Sequence, residues 1–210
     1  MFTILIGTCD KYQFLWDDFV HLFNKYWDGS IECDKYFLSE TIAPQYDGFK
    51  SLLPGKVPYT DCLQYALDNI HSKYVLWLQD DYFFRKTISK STFISYLDFI
   101  TEYNVDRFGI HDDSQFYMKT HVKDNLYRLS QYSLYTISMQ ASIWNTDFFK
   151  LCIKESENPW QFEVNGSIRL NSNIQHYIYF DKQDSPWYVE GMRKGEFTQD
   201  YYRIKQEENL

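Results

Sequence analysis

An α/β fold with a mainly parallel central sheet is predicted by three features of this 210-residue chain. Apolar runs such as FTILI (residues 2–6) and YVLWL (residues 74–78) are uninterrupted, as in strands buried on both faces. Between the runs lie stretches with apolar residues three and four apart, the stripe of an amphipathic helix. Polar residues gather where the runs stop, at the edge where open α/β sheets bind ligands.

The first strand, residues 2–6, is closed by Gly7. Thr8, Cys9 and Asp10 lead into a helix marked by Leu15, Phe19, Leu22, Phe23 and Tyr26, with Asp10 placed as its N-cap. Residues 33–38 form a second strand and residues 59–70 a second helix, with Leu63, Ala66, Leu67 and Ile70 on one face. The stretch between, holding Pro44, Gly48, Pro54, Gly55 and Pro58, is loop. Residues 74–78 form the next strand and residues 91–103 a third helix; residues 105–110 form a further strand that stops at His111-Asp112-Asp113. Such a βαβ series implies right-handed crossovers and a parallel sheet. The second half is a smaller mixed or antiparallel portion: residues 126–129 and 134–139 alternate like sheet edges, residues 147–153 are helical, and residues 177–180 are a short strand. The expected organisation is one domain over residues 1–200, with residues 201–210 a polar tail or the start of a connection to a further domain.

Composition narrows the function. The 21 Lys and Arg against 29 Asp and Glu leave a net charge of −8, which argues against nucleic acid as a partner. No apolar run has the length of a membrane-spanning helix, residues 1–7 lack the character of a signal peptide, and a cytoplasmic location is expected. Cys9, Cys33, Cys62 and Cys152 are scattered without a CxxC pair and are read as reduced and mostly buried. The 19 Tyr, 17 Phe and 6 Trp provide core bulk and flat stacking surfaces.

The sharpest motif is Gln79-Asp80-Asp81, directly after the YVLWL strand. A hard cation such as Mg²⁺ or Mn²⁺ is held by one or two carboxylates while substrate phosphates fill other positions, and Asp81 is the candidate carboxylate. Taken alone, the pair reads more readily as the start of a solvated loop. His111-Asp112-Asp113 is an internal rival, since imidazole and carboxylate both ligate transition metals. Arg169, Arg193 and Lys194 are the cations available to a diphosphate leaving group.

Together, FTILIGTCDKY, LWDDFVHLFNKYW, CLQYALDNIHSKYVLWLQDDYFF, ISMQASIWNTDFF and ENPWQFEVNGSIR resemble the small nucleotide-sugar-dependent glycosyltransferases of the GT-A fold found in bacterial surface-polysaccharide clusters and large algal viruses. The resemblance runs from residue 2 to about residue 170. It implies a Rossmann-like nucleotide-sugar-binding half over residues 1–110 and an acceptor-side half over residues 111–200. It implies that Thr8, Cys9 and Asp10 receive the nucleotide, that Asp80 touches ribose, and that Asp81, with Asp80, holds the metal-bound diphosphate. Gln79 stands where the family often carries an acid. Glu163, in WQFE, falls at the family's acceptor base, with Asp112 or Asp113 in reserve; without the resemblance it reads as a cap or ion-pair residue. Trp160 and Phe162 are expected to enclose Glu163 in apolar bulk and raise its pKa. Gln140 and Trp144 fall behind the family's sugar pocket, although Trp144 also reads as plain core.

The implied reaction is metal-dependent transfer of a sugar from a nucleoside diphosphate sugar, UDP-sugar by default, to a hydroxyl of a glycan acceptor, with inversion. Three other classes compete. A nucleotidyltransferase normally has a Gly-rich basic loop where this chain has GTCDKY. A carbohydrate-binding module would use the Trp and Tyr surfaces without a nucleotide. A glycoside hydrolase needs two carboxylates across the sugar but no nucleotide.

Overall fold

The computed structural model describes residues 2–110, 119–130, 132–133, 135–170, 174–179 and 187–210. The chain opens with β1 (Phe2–Gly7), a 3₁₀ turn (Asp10–Leu15) and α1 (Trp16–Tyr26), followed by β2 (Asp34–Leu38) and β3 (Lys50–Leu52). Next come α2 (Tyr59–Asn69), β4 (Tyr74–Gln79), β5 (Tyr82–Phe84), α3 (Lys90–Glu102) and β6 (Arg107–Gly109). The second half contains β7 (Lys119–Lys123), β8 (Leu126–Leu129), β9 (Ser142–Asn145), α4 (Thr146–Cys152), α5 (Pro159–Arg169) and β10 (His176–Tyr179). It ends with β11 (Tyr188–Glu190), the hairpin β12 (Met192–Arg193) and β13 (Glu196–Phe197), and α6 (Gln199–Glu208).

Among the described residues the central sheet runs β3-β2-β1-β4-β9-β6-β10-β8-β7. Strands β1 to β4 pair in parallel, as the apolar runs predict. The expected parallel series is broken at one place: β9 enters antiparallel between β4 and β6. Beyond it, β8 and β7 add antiparallel strands.

Strand alternation divides the core in two. Ile4, Ile6, Leu76 and Leu78 point to the layer containing α1, α3 and α6, whereas Leu5, Val75 and Trp77 point to the layer containing α2, α4 and α5. The predicted stripe of α1 is buried: Phe19 and Leu22 are fully enclosed, and each such side chain contributes roughly 1.5–3 kcal/mol.

Two local expectations are corrected, those for residues 134–139 and for the cysteines. Residues 135–139 are not a strand; Leu134 lies outside the described residues. The segment is nonetheless buried, because α5 side chains take its amides: Ile137 N–H donates to Ser167 Oγ at 2.9 Å, and Met139 N–H to Glu163 Oε1 at 2.6 Å. The polar residues 201–210 fall largely within α6. Tyr201 and Ile204 are buried against the core, and Glu208 binds Lys25 and accepts from Tyr26 Oη at 2.5 Å. The cysteines are all free, but Cys152 alone is buried.

Candidate functional site

The site begins where β1 and β4 end side by side. Their register pairs Gly7 with Gln79, and Asp80 N–H donates to the Gly7 carbonyl at 3.2 Å. Thr8 therefore stands beside Asp80, donating its hydroxyl to Asp80 Oδ2 and accepting from Trp16 Nε1 at 2.8 Å. Asp80 is 5% exposed. Burial, reinforced by the neighbouring Asp81, pushes its carboxyl up to about 7 despite those hydrogen bonds. Asp80 thus forms the floor of the site and secures Thr8.

Asp81 turns the other way. Its Oδ1 is buried without a hydrogen-bond partner, a costly arrangement for a carboxylate. Burial and then the charge of Glu190 push it up to about 7. Strand β11 brings Glu190 there by pairing with β5, Glu190 opposite Tyr82, and Gly191 N–H locks the turn by donating to the Asp81 carbonyl at 2.7 Å.

Asp81 stands at the junction of two cavities. The larger, about 500 Å³, has Gly7, Thr8, Cys9 and Asp80 at its base, with Tyr12, Glu40, Tyr59 and Lys194 around it. The smaller, about 200 Å³, brings Asp81, Glu163 and Glu190 together with Gln140. Gln79, Asp81, Pro159 and Met192 line both, so the two form one cleft.

Glu163 enters from the second turn of α5. A capping box sets where that helix starts: Gln161 N–H donates to Asn158 Oδ1 at 2.9 Å, and Asn158 N–H to Gln161 Oε1 at 3.0 Å, with Pro159 as the first helical residue. The apolar enclosure expected from Trp160 is absent. Trp160 is 64% exposed, and Phe162 is buried in the α2/α4/α5 layer. What orients Glu163 is the Met139 amide, whose carbonyl in turn accepts from Trp77 Nε1 at 3.0 Å and Tyr82 Oη at 3.1 Å.

Other predicted residues fall elsewhere. Asp10 does not cap the helix: its carboxylate accepts the N–H groups of Thr41 and Ile42, both at 3.0 Å, and the Thr41 hydroxyl. Those bonds hold its pKa below the usual range and tie the first turn to the loop after β2. Arg169 is bound to Glu157 through two bonds of 2.6 and 3.0 Å and to the Cys152 carbonyl at 2.9 Å, which joins α5 to the end of α4. Arg193 is paired with Glu190 at 3.0 Å on the outer side of the hairpin, whereas Lys194 at the hairpin tip lines the large cavity. Trp144 is core, stacked on Phe149 at 4.4 Å. Asp112 and Asp113 lie outside the described residues. Among the described residues no group of three or more His, Cys, Asp and Glu side chains is arranged to hold a metal ion.

No family model and no curated protein matches the sequence. Solved structures do match. S. aureus TarS 1–349 superposes with a TM-score of 0.58 at 16% identity, over 86% of this chain and 58% of that one. The same TarS fragment in complex with UDP gives 0.61 at 15% identity, over 98% of this chain and 63% of that one. A UDP-glucose pyrophosphorylase complexed with UDP-glucose gives 0.54 at 6% identity, over 86% and 90%.

The protein has the GT-A fold.

The chain spans less than two thirds of the TarS fragment. Within this GT-A frame the structure adds Glu190 and Tyr59, which the motifs did not single out, and gives Gln140 its partners. Glu190 sits in an unremarkable YVEG run and reaches Asp81 only through the β5–β11 pairing. Gln140 donates Nε2 to Glu190 Oε1 at 2.8 Å and accepts from Tyr188 Oη at 2.7 Å, forming a bridge across the small cavity. Tyr59, the first residue of α2, lines the large cavity, and its hydroxyl is buried without a hydrogen-bond partner.

Proposed function

We propose that the protein is a metal-dependent glycosyltransferase that moves a sugar from a UDP-sugar to a hydroxyl of a neighbouring glycan, with inversion at the anomeric carbon. The observation that carries this reading is the placement of Asp81, with its partnerless buried oxygen, between a nucleotide-sized cavity and a small cavity bordered by Glu163. The TarS structures with UDP and with UDP-GlcNAc support UDP as the nucleotide.

In this reading the larger cavity takes the nucleoside diphosphate. Tyr12 offers a ring face to the base, Thr8 and Cys9 present the β1 turn, Tyr59 Oη donates to a phosphate or ribose oxygen, and Lys194 meets the diphosphate. Residues 1–110 thus supply most of the donor side and residues 111–200 the acceptor side. Asp81 would hold the divalent cation by one carboxylate, with substrate phosphates filling other positions, while Asp80 is committed to Thr8. When bound, the cation offsets charge on the departing diphosphate. Glu163, oriented by the Met139 amide, removes the proton from the acceptor hydroxyl. The new bond forms between that oxygen and the anomeric carbon as the carbon–diphosphate bond breaks, releasing UDP. Approach from the face opposite the diphosphate inverts the centre, and the base contributes roughly 10²- to 10⁴-fold.

The test pairs binding with turnover. UDP with Mn²⁺ is expected to raise the melting temperature of the wild-type protein, by mass action, and to lose that effect in Asp81→Ala. Glu163→Gln is expected to keep the UDP shift and lose about 10²-fold or more in transfer. Wild-type rates in both variants would refute the assignment. Formation of a UDP-sugar from UTP and a sugar phosphate would instead mark a nucleotidyltransferase.

A further inference from the structure

Beside the hairpin β12–β13 lies a further groove of about 650 Å³, most of whose lining the transfer chemistry leaves unused. Glu190 is a wall of both this groove and the small cavity that contains Glu163, so the two adjoin. The groove is lined by Arg193, Lys194, Glu196, Gln199 and Asp200, with the ring of Phe197 among them. Phe197 is 36% exposed, and its ring is stacked on Tyr201 at 4.1 Å and 15°, which holds it rigid. The aromatic surface continues over Phe14, 5.8 Å away and 52% exposed, and over Tyr202, 6.0 Å away and 61% exposed.

Exposed rings interleaved with carboxylates, an amide and a guanidinium suit a carbohydrate: the rings take the C–H faces of sugars, and the polar groups take hydroxyls. Charge narrows the class further. Along the groove the carboxylates of Glu190, Glu196 and Asp200 face the cations of Arg193 and Lys194, Arg193 being paired with Glu190 and Asp200 with Arg203, in a chain of net charge −8. This balance disfavours an acidic glycan and an anionic lipid surface. We propose that the groove binds the non-reacting sugars of a neutral oligosaccharide acceptor, whose end passes Glu190 to reach Glu163. This rests on the transferase reading above and adds to it that the acceptor is a chain.

The test is an array of neutral and uronic-acid-containing glycans, from monosaccharides to hexasaccharides, probed with the labelled wild-type protein, Phe197→Ala and Glu196→Ala. Neutral oligosaccharides are expected to bind, trisaccharides and longer ones better than monosaccharides. Phe197→Ala should weaken them about tenfold, the worth of one lost stacking contact. Glu196→Ala should weaken them as well, and all three proteins should keep the thermal shift with UDP and Mn²⁺. Binding that ignores chain length, binding unchanged in both variants, or preference for phosphatidylglycerol vesicles over every neutral glycan overturns the groove. Absence of a UDP shift in the wild-type protein overturns the transferase reading instead, while length-dependent glycan binding would then stand alone.

Discussion

At the scale of single residues, chemistry and support are divided between side chains of the same type. Of the acidic residues nominated from sequence, Asp81 and Glu163 line the cleft with their carboxylates, Asp80 secures Thr8 beneath it, and Asp10 works as a clamp on Thr41 and Ile42. The motif made the position of Asp81 legible, but which way each carboxylate turns depends on neighbours far away in the chain. Arg169 shows the same division. Burial pushes Glu157 up, yet the hydrogen bonds from Arg169 and Asn165 bring its pKa below the usual value, so the pair is ionised and structural. Arg169→Ala is therefore expected to cost about 2 kcal/mol, a figure reduced because the arginine is partly solvated, by leaving Glu157 buried and unpaired. Urea melts should show this loss while UDP affinity by calorimetry stays at the wild-type value. A large drop in UDP affinity with unchanged stability would move Arg169 to the diphosphate.

At the scale of elements, the cleft depends on a chain of contacts running across β4. Gly7 lies against the Trp77 ring so closely that an added Cβ would stand 2.2 Å from Cη2. Trp77 is held by its bond to the Met139 carbonyl, and the Met139 amide orients Glu163. Gly7→Ala is thus expected to displace Trp77, to destabilise the fold by about 2 kcal/mol through overpacking, and to slow transfer as well. Thermal melts and initial rates would check both; an unperturbed variant would mean that the ring has room to move. Strands β1 and β4 and helices α1 and α2 were legible because their apolar periodicity records burial on two faces or one. The stretch at residues 135–139 has the apolar alternation of a strand, but its amides are satisfied by Ser167 and Glu163, side chains about 25 to 30 residues away. No local pattern carries that information. The hairpin β12–β13 is similarly short, defined by its Lys194-Gly195 turn, where both residues adopt positive φ of 53° and 83°.

At the scale of the whole molecule, the parallel half followed from the βαβ order, whereas the insertion of β9 between β4 and β6 did not. Neither did the buried polar row that this insertion creates. Trp144, Arg107 and His176 lie on neighbouring strands, and both nitrogens of His176 are buried without a hydrogen-bond partner. Burial, and then the Arg107 guanidinium, hold His176 well below its usual pKa of 6.5, so the folded protein keeps it neutral. The unfolded chain binds a proton there once the pH falls below 6.5, and stability contributed by the neutral ring is lost as the pH drops from 6.5 toward the folded value. Wild-type protein should lose about 1.4 kcal/mol per pH unit more than His176→Leu in the acid range, measured by urea melts between neutral and mildly acidic pH. Parallel profiles would show the histidine already solvated. Among the described residues, the sheet that carries this row ends in two edge strands. Strand β3 at one end has three residues and begins with Lys50; strand β7 at the other is bounded by Lys119 and Lys123, and Thr120 to Lys123 are exposed. At the β7 rim the lysines make it costly for two molecules to join edge to edge, since their charges would be brought together and stripped of water, whereas Lys50 at the β3 rim is paired with Asp34 at 2.7 Å. The β7 border thus carries its own guard against edge-to-edge aggregation.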